Sequence, residues 1–422
     1  VTDVILIEGR RQMKMNWYIR GMQNIFLRRL FLVITGSKIN AGEGDKNMAD
    51  YIKGVDLSAV VEVEELGAKY YDNGVQGDIF DILKNYGVNS VRLRLWNDPY
   101  TEDGVPYGAG TNDLEVYKKL AKRAMDHGMS ILLDYHYSDF WADPGKQRVP
   151  KAWRGMDADQ LEQAVYDYTR ETLLEMKAAG VLPQLVQVGN ELTNGLMWPL
   201  GQKPEYDNIA KFVSAGIRAV RSVDSDIPVM IHLDNGGNNP MYVDWFDHYM
   251  ERGEDFDIIG MSYYPFWHGT MKELEANMRD MAVRYGKKIV IAEVSMGFTM
   301  EDYAEYEKLG PDDRKGYATK PSLVENLDYP MTPEGQAEFM NDIMKLIDDV
   351  PGGDGFYYWE AGWIPVPGSG WATEGALSYI EESGPCGNEW ANQTLFDYDG
   401  HALPALKTIR DYKPAHDDYP LK

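Results

Sequence analysis

The sequence predicts a single (β/α)8 barrel, and three observations carry that expectation. From Tyr51 onward, eight short apolar runs alternate with helix-like stretches, the order that builds parallel βαβ units. The alternation fills about 365 residues with no repeat, low-complexity tract or linker, a length that a barrel with long loops reaches as one domain. Polar residues collect at the C-terminal tips of the runs, the face where barrels of this kind carry their chemistry.

In chain order, the strands are expected at Ile52–Leu57, Ser90–Trp96, Ser130–His136, Leu185–Asn190, Pro228–Asp234, Asp257–Tyr263, Lys288–Glu293 and Gly355–Trp359. Helical periodicity runs between them at Asp113–His127, Ala158–Ala179, Asp207–Val223 and Pro333–Asp349. Asp113 suits an N-cap and Pro333 a first helical turn. Two stretches carry no period, Ser295–Met331 after strand seven and Glu360–Leu403 after strand eight, and loops of that length usually serve function. Residues 1–48 are expected to be a processing segment and 49–422 the barrel. Arg28-Arg29, the apolar run Leu30–Ile34 and the small residues Thr35-Gly36-Ser37 follow the order of an export signal, for which Met22 is a natural start. The run is too short to span a bilayer, so the protein is expected to be exported rather than membrane-spanning. Ser37 stands where a lipoprotein signal would need its acylated cysteine.

Composition narrows the class. Hydrophobic residues make up 44% and charged residues 26%, enough for a real core. Asp+Glu is 67 against Lys+Arg 42, a net charge of -25 that repels phosphate backbones and excludes nucleic acid as a partner. The lone cysteine, Cys386, excludes a disulfide framework, a cysteine zinc site and a CxxC redox centre.

The strand tips narrow it further. Arg92, Arg94 and Trp96 share parity on strand two and face one side, and two arginines inside a barrel require carboxylate partners. Asp134 and His136 share parity at the end of strand three. Strand four ends Asn190-Glu191, strand five His232-Leu233-Asp234-Asn235, strand six Ser262-Tyr263-Tyr264, strand seven Ala292-Glu293 and strand eight Trp359-Glu360. Glu191 and Glu293 end strands on opposite sides of the mouth, where two carboxyl groups can flank one glycosidic bond. Retaining glycosidases need such a pair about 5–5.5 Å apart, one protonated and one ionised. Asn190 offers an amide to a sugar hydroxyl, and Arg92 or Arg94 a cation to keep Glu293 ionised. Trp96, Trp141, Trp198, Trp267, Trp359, Trp363 and Trp371 fall at strand ends or in the following loops, where indole faces stack on pyranose rings, whereas Trp245 reads as core.

Several segments resemble glycoside hydrolase family 53: Gly87–Pro99 (GVNSVRLRLWNDP), Leu133–Pro144 (LDYHYSDFWADP), Val186–Glu191 (VQVGNE), His232–Gly236 (HLDNG), Gly260–Thr270 (GMSYYPFWHGT) and Leu395–Leu406 (LFDYDGHALPAL). The resemblance runs from about Tyr51 to about Leu406. It implies a clan A barrel and an endo-β-1,4-galactanase acting with retention on pectin side chains and type I arabinogalactan. By the same likeness Glu191 matches the acid/base and Glu293 the nucleophile. Arg92, His136, Asn190, Tyr263 and Trp359 match residues around the reacting sugar, and Asp139, Trp141, His232, Asp234 and Trp363 match the cleft lining. Two loops depart from the family pattern, Val294-Ser295-Met296-Gly297 after strand seven and Glu360-Ala361-Gly362 after strand eight. Competing readings are a clan A endo-hydrolase of mannan, xylan or glucan, and a non-catalytic glycan-capture barrel.

The expected partner is thus a galactan chain, bound by a monomer that requires no cofactor. Some bacterial relatives hold calcium in the strand-seven loop through closely spaced Asp, His and Asn. Here that loop carries Glu301, Asp302, Glu305, Asp312 and Asp313 without an alternating run or a histidine, so a structural calcium is not expected. EDTA should therefore leave activity and melting temperature unchanged; a fall in melting temperature that calcium restores contradicts this.

Overall fold

The computed structural model describes residues 51–303, 318–325 and 327–415. The expected processing segment lies outside the described residues. Eight parallel strands close into a barrel in sequential order: Ile52–Asp56, Ser90–Leu95, Ser130–Tyr135, Leu185–Val188, Val229–Leu233, Ile258–Tyr263, Lys288–Val294 and Gly353–Tyr358. These are called strands one to eight below. Strand one pairs with both strand two and strand eight, which closes the ring and leaves no barrel edge unpaired.

The expected helices form, and local chemistry fixes their ends. The Asp113 carboxylate caps Leu114–Asp126 by accepting from Val116 N, and Asp157 makes a reciprocal capping box with Gln160 at the head of Ala158–Ala178. Tyr206–Val223 is amphipathic, and Pro333–Asp349 starts behind Thr332 with proline in its first turn. Strand four stops at Val188, two residues earlier than expected. Gly189 (φ 82°) and Glu191 (φ 48°) turn the backbone out of the sheet there. Sequence patterning also missed the small hairpin Tyr70–Asp72/Val75–Gly77, although Asn73-Gly74 is a strong turn signal. The long segment after strand eight is not structureless; it contains the helix Glu374–Ile380 and a 3-10 turn at Ala391–Gln393.

Two apolar layers position the site. One lies between sheet and helices and includes Trp245, whose indole N–H donates to Leu192 O at 2.8 Å. The other plugs the bottom of the barrel with Ile52, Leu132, Leu185, Met230, Ile258, Val290, Ala292 and Tyr357. Strand parity then sends Asp56, Arg92, Asp134, Gln187 and His232 into the lumen directly above that plug. Tyr357 spreads its ring across the floor because strand one has glycine at position 54. A Cβ there would stand 2.3 Å from the ring and 2.8 Å from Phe356 O. Gly54→Ala should therefore destabilise the fold by about 1–3 kcal/mol, the usual cost of overpacking. Thermal unfolding measures this, and an unchanged melting temperature contradicts it.

Candidate active site

The site grows out of the charged layer above the plug. Arg92 is wholly buried and surrounded by acceptors. Its guanidinium reaches Asp56 at 3.1 Å, Asp134 at 2.8 Å and Glu293 at 2.8 Å, and it donates to Asn190 Oδ1 at 2.9 Å. Arg94 pairs with Glu360 at 2.5 Å and lies 4.4 Å from the ring centre of Trp141. A lone buried guanidinium would be prohibitively costly, and these partners offset its desolvation.

Glu191 and Glu293 stand over Arg92 from opposite walls. One carboxyl oxygen from each, together with a ring nitrogen of His232, lie within 4.8 Å of one another. That separation fits direct attack on an anomeric carbon and is too small for the 6.5–9.5 Å that inverting enzymes leave for a water. Parity alone would turn Glu293 outward, because Val290 and Ala292 already face the lumen. A bulge resolves this: Met261 pairs with Ile291, but Ser262 pairs with Glu293, so the register slips by one and re-aims the carboxylate inward.

The surroundings of the two acids differ. Burial pushes the Glu293 carboxyl up, while the Arg92 cation and the Tyr264 hydroxyl, donating at 2.7 Å, pull it back toward ionisation. Burial pushes Glu191 well above the ordinary carboxylate range, and the negative charges of Glu293, Asp234 and Asp143 push it the same way. The Ser262 hydroxyl, donating to Oε1 at 2.7 Å, opposes them. Both carboxyls lie above the ordinary range, Glu191 further than Glu293, so Glu191 holds its proton more firmly and Glu293 is the first of the two to ionise.

The cleft is lined by Arg94, His136, Trp141, Ala142, Asp143, Lys146, Asn190, Glu191, Tyr264, Glu293, Trp359, Trp371, Glu389 and Trp390. Seven of the expected sugar-site residues are therefore on its wall: Glu191, Glu293, His136, Trp141, Asn190, Trp359 and Trp371. The others are not. Arg92 lies beneath the wall against Glu293. Trp96 is fully buried and donates to His136 Nδ1 at 3.0 Å, and His136 also contacts Asp134 at 3.1 Å, so both its ring nitrogens are engaged within the protein. Asp139 accepts from Asp98 N, Lys151 N and the Tyr379 hydroxyl and braces loops. Trp363 is buried and bonds Ser369. His232 sits behind Asn190 and Ser262. Asp234 is held by the Thr193 hydroxyl beside the cleft.

Tyr263 is corrected. It faces the helices, where its ring stacks on Phe339 and its hydroxyl donates to Gly269 O at 3.0 Å, and the tyrosine at the site is Tyr264. Ser262 and Tyr264 share lumen parity, a signal the sequence did carry. Glu389 and Trp390 come from the loop after strand eight, where no period announces them. Trp198 lines a different groove, while Trp267 is 38% exposed next to Trp390. Of the expected calcium-loop acids, Glu305, Asp312 and Asp313 lie outside the described residues. Among the described residues, the cluster with metal-ligand spacing is the Glu191, His232 and Glu293 group itself.

Two unlike buried carboxyl groups facing each other across an aromatic cleft, at the C-terminal mouth of a parallel barrel, define a glycoside hydrolase. The sequence profile described as Glycosyl hydrolase family 53 matches residues 52–409, and the chain belongs to that family. It is 38% identical over 387 residues to an endo-beta-1,4-galactanase of Bacillus subtilis (strain 168), covering 87% of each chain. The fold is similar to the Ignisphaera aggregans GH53 catalytic domain, with a TM-score of 0.77 and 39% identity over 88% of this chain and 99% of that one. It is also similar to one of two fungal beta-1,4-galactanases, with a TM-score of 0.68 and 31% identity over 85% and 98% of the chains.

The electrostatics generate a pH prediction. Asp234 raises the Glu191 pKa by repulsion. Asp234→Asn removes that charge, so Glu191 loses its proton at lower pH and the alkaline limb of kcat/KM should move toward acid. A limb that stays in place, or moves toward base, contradicts this arrangement.

Proposed function

We propose that the protein is a retaining endo-hydrolase of β-1,4-galactan, with Glu293 as nucleophile and Glu191 as acid/base. The observation that carries the mechanism is the pair of buried carboxyl groups within 4.8 Å, one held by Arg92 and Tyr264 and the other crowded by negative charge. Glu293 attacks the anomeric carbon while the Glu191 proton moves to the departing glycosidic oxygen. The resulting galactosyl ester is hydrolysed when Glu191, now a base, takes a proton from water. Asn190 orients its amide with Oδ1 on Arg92 and Nδ2 on Ala142 O at 2.9 Å. Trp141, Trp359, Trp371 and Trp390 provide stacking faces along the cleft.

Galactan as the substrate is supported by the names of the similar proteins and by the family-like segments; the carboxyl pair itself would serve any β-glycan. The basic, apolar and small residues at 28–37 support export, which suits a polymer outside the cell. Among the described residues, no helix is long and apolar enough to cross a membrane.

Release of reducing ends from potato galactan should exceed that from mannan, xylan and β-glucan by orders of magnitude, and equal release from another glycan contradicts the substrate reading. The roles separate with azide. Glu191→Ala, given a dinitrophenyl galactobioside and azide, should yield the β-galactosyl azide with retention, because the nucleophile is intact. Glu293→Ala should yield the α-azide, the ion replacing the missing carboxylate. The opposite stereochemical pattern reverses the two assignments.

A further inference from the structure

Glu191 stands on backbone that the barrel itself does not hold. Strand four pairs with strand three as far as Val188 and with strand five as far as Gln187, so Gly189, Asn190 and Glu191 lie beyond the ladder. Gly189 (φ 82°) and Glu191 (φ 48°) are both left-handed, and the Cβ of Glu191 makes that region unfavourable. A residue keeps such a conformation where its surroundings over-determine it. Gln147, in the loop after strand three, supplies the constraint. Its side-chain nitrogen lies 2.7 Å from Asn190 O, 3.3 Å from Asp143 O and 3.5 Å from Glu191 O. All three partners are carbonyl oxygens, which accept and cannot donate, so the amide presents its NH2 to them. One hydrogen serves Asn190 O, the closest, and the other is shared by Asp143 O and Glu191 O. Gln147 is 2% exposed, and a carbonyl left without a donor in such a place is costly.

The loop that carries Gln147 is anchored on both sides of Glu191. Asn190 Nδ2 donates to Ala142 O at 2.9 Å, Asn194 Nδ2 donates to Pro144 O at 2.9 Å, and Trp198 N donates to Gln147 O at 2.8 Å. Between these points Asp143 and Lys146 exchange backbone bonds at 2.9 and 3.0 Å, which makes a tight turn. Gln147 therefore sits where the loops after strands three and four cross, and its amide is a rigid strut rather than a free side chain.

We infer that Gln147 is a positioning residue that locks the left-handed backbone of Glu191 and so aims its carboxyl at the glycosidic oxygen. The inference rests on Glu191 being the acid/base. The Cβ direction follows from the backbone, so relaxing Glu191 to an extended or right-handed conformation swings the carboxyl off that line and off Ser262 Oγ, 2.7 Å away. Glu293 is held separately, by Arg92 and Tyr264 on the other wall. Loss of the strut should therefore harm the two steps in which Glu191 moves a proton and spare the attack by Glu293.

The test compares Gln147→Met, which keeps the length and removes the donor, with the wild-type full chain on aryl galactobiosides of graded leaving-group ability. For poor leaving groups kcat/KM should fall roughly ten- to hundredfold, the span lost when a catalytic group is misplaced by about 1 Å. For dinitrophenolate, which needs no proton, kcat/KM should stay within about twofold while kcat falls, because the second step needs Glu191 as base, and azide should restore that kcat. Labelling by a dinitrophenyl 2-deoxy-2-fluoro-galactobioside, which uses Glu293 alone, should still reach one label per chain and so counts the folded sites. If Gln147→Met does not fold, Gln147→Asn, whose shorter amide withdraws from Asn190 O, carries the same comparison. An equal loss on every substrate, or a raised KM without leaving-group discrimination, marks Gln147 as a support of the cleft wall and overturns the inference. Glu191→Gln separates this from failure of the acid/base reading. If it cleaves poor leaving groups as wild type does, the assignment of Glu191 fails; if it fails on them while the Gln147 variant does not discriminate, the positioning role alone fails.

Discussion

The structure depends on one buried guanidinium. Arg92 sits at the centre of the barrel with no solvent, and a charge there persists only if carboxylates surround it. Asp56 from strand one, Asp134 from strand three and Glu293 from strand seven do so, which ties three separate βα units to one atom group. The same contact makes the active site asymmetric. Arg92 and Arg94 pair with four buried carboxyl groups, Asp56, Asp134, Glu293 and Glu360, and a fifth, Glu191, stands beside them with no arginine partner. Two cations cannot hold that many ionised, so protons collect where no arginine compensates or where burial dominates. Glu360 is pushed up to about 8 by burial, even beside Arg94, and Glu191, lacking a cation, rises well above the ordinary range. The position of the arginines thus decides which acid attacks and which donates.

The cleft wall depends on the second arginine. Arg94 lies beneath Trp141 and within 5.8 Å of the Trp359 ring centre, a cation under an aromatic floor. Trp141 donates to Trp371 O, Trp371 donates to Pro385 O, and Trp359 packs on Trp390 at 4.5 Å. The indoles are therefore fixed before any sugar arrives, which lowers the entropy cost of stacking. The mouth also concentrates backbone strain. Tyr137, Glu191 and Glu360 all hold positive φ at strand ends, a cost of about 1–3 kcal/mol each that the packed barrel below absorbs.

Much of this was legible in the sequence, because period and parity are local properties. Eight runs with turn signals specified the barrel, and parity on strand two put Arg92 and Arg94 inside before any partner was known. Glu191 and Glu293 were legible as strand tips. What stayed hidden was non-local. The bulge that turns Glu293 inward appears only when strand seven is paired with strand six, since a strand read alone counts its residues evenly. The family likeness points to Tyr263, whereas parity with Ser262 favours Tyr264, the tyrosine that reaches Glu293. Glu389 and Trp390 reach the cleft through a loop without a period, and the layer formed by Gln187, His232 and Ser262 looks like ordinary polar strand residues until the barrel closes around it.

The central claim is that Arg92 and Tyr264 make Glu293, and not Glu191, the residue that bonds to the sugar. The most direct test is to trap the intermediate with a dinitrophenyl 2-deoxy-2-fluoro-galactobioside, digest the protein and locate the added mass. The account predicts one label per chain, on the strand-seven peptide at Glu293. A label on the strand-four peptide at Glu191, or none while turnover proceeds with inversion, would contradict it.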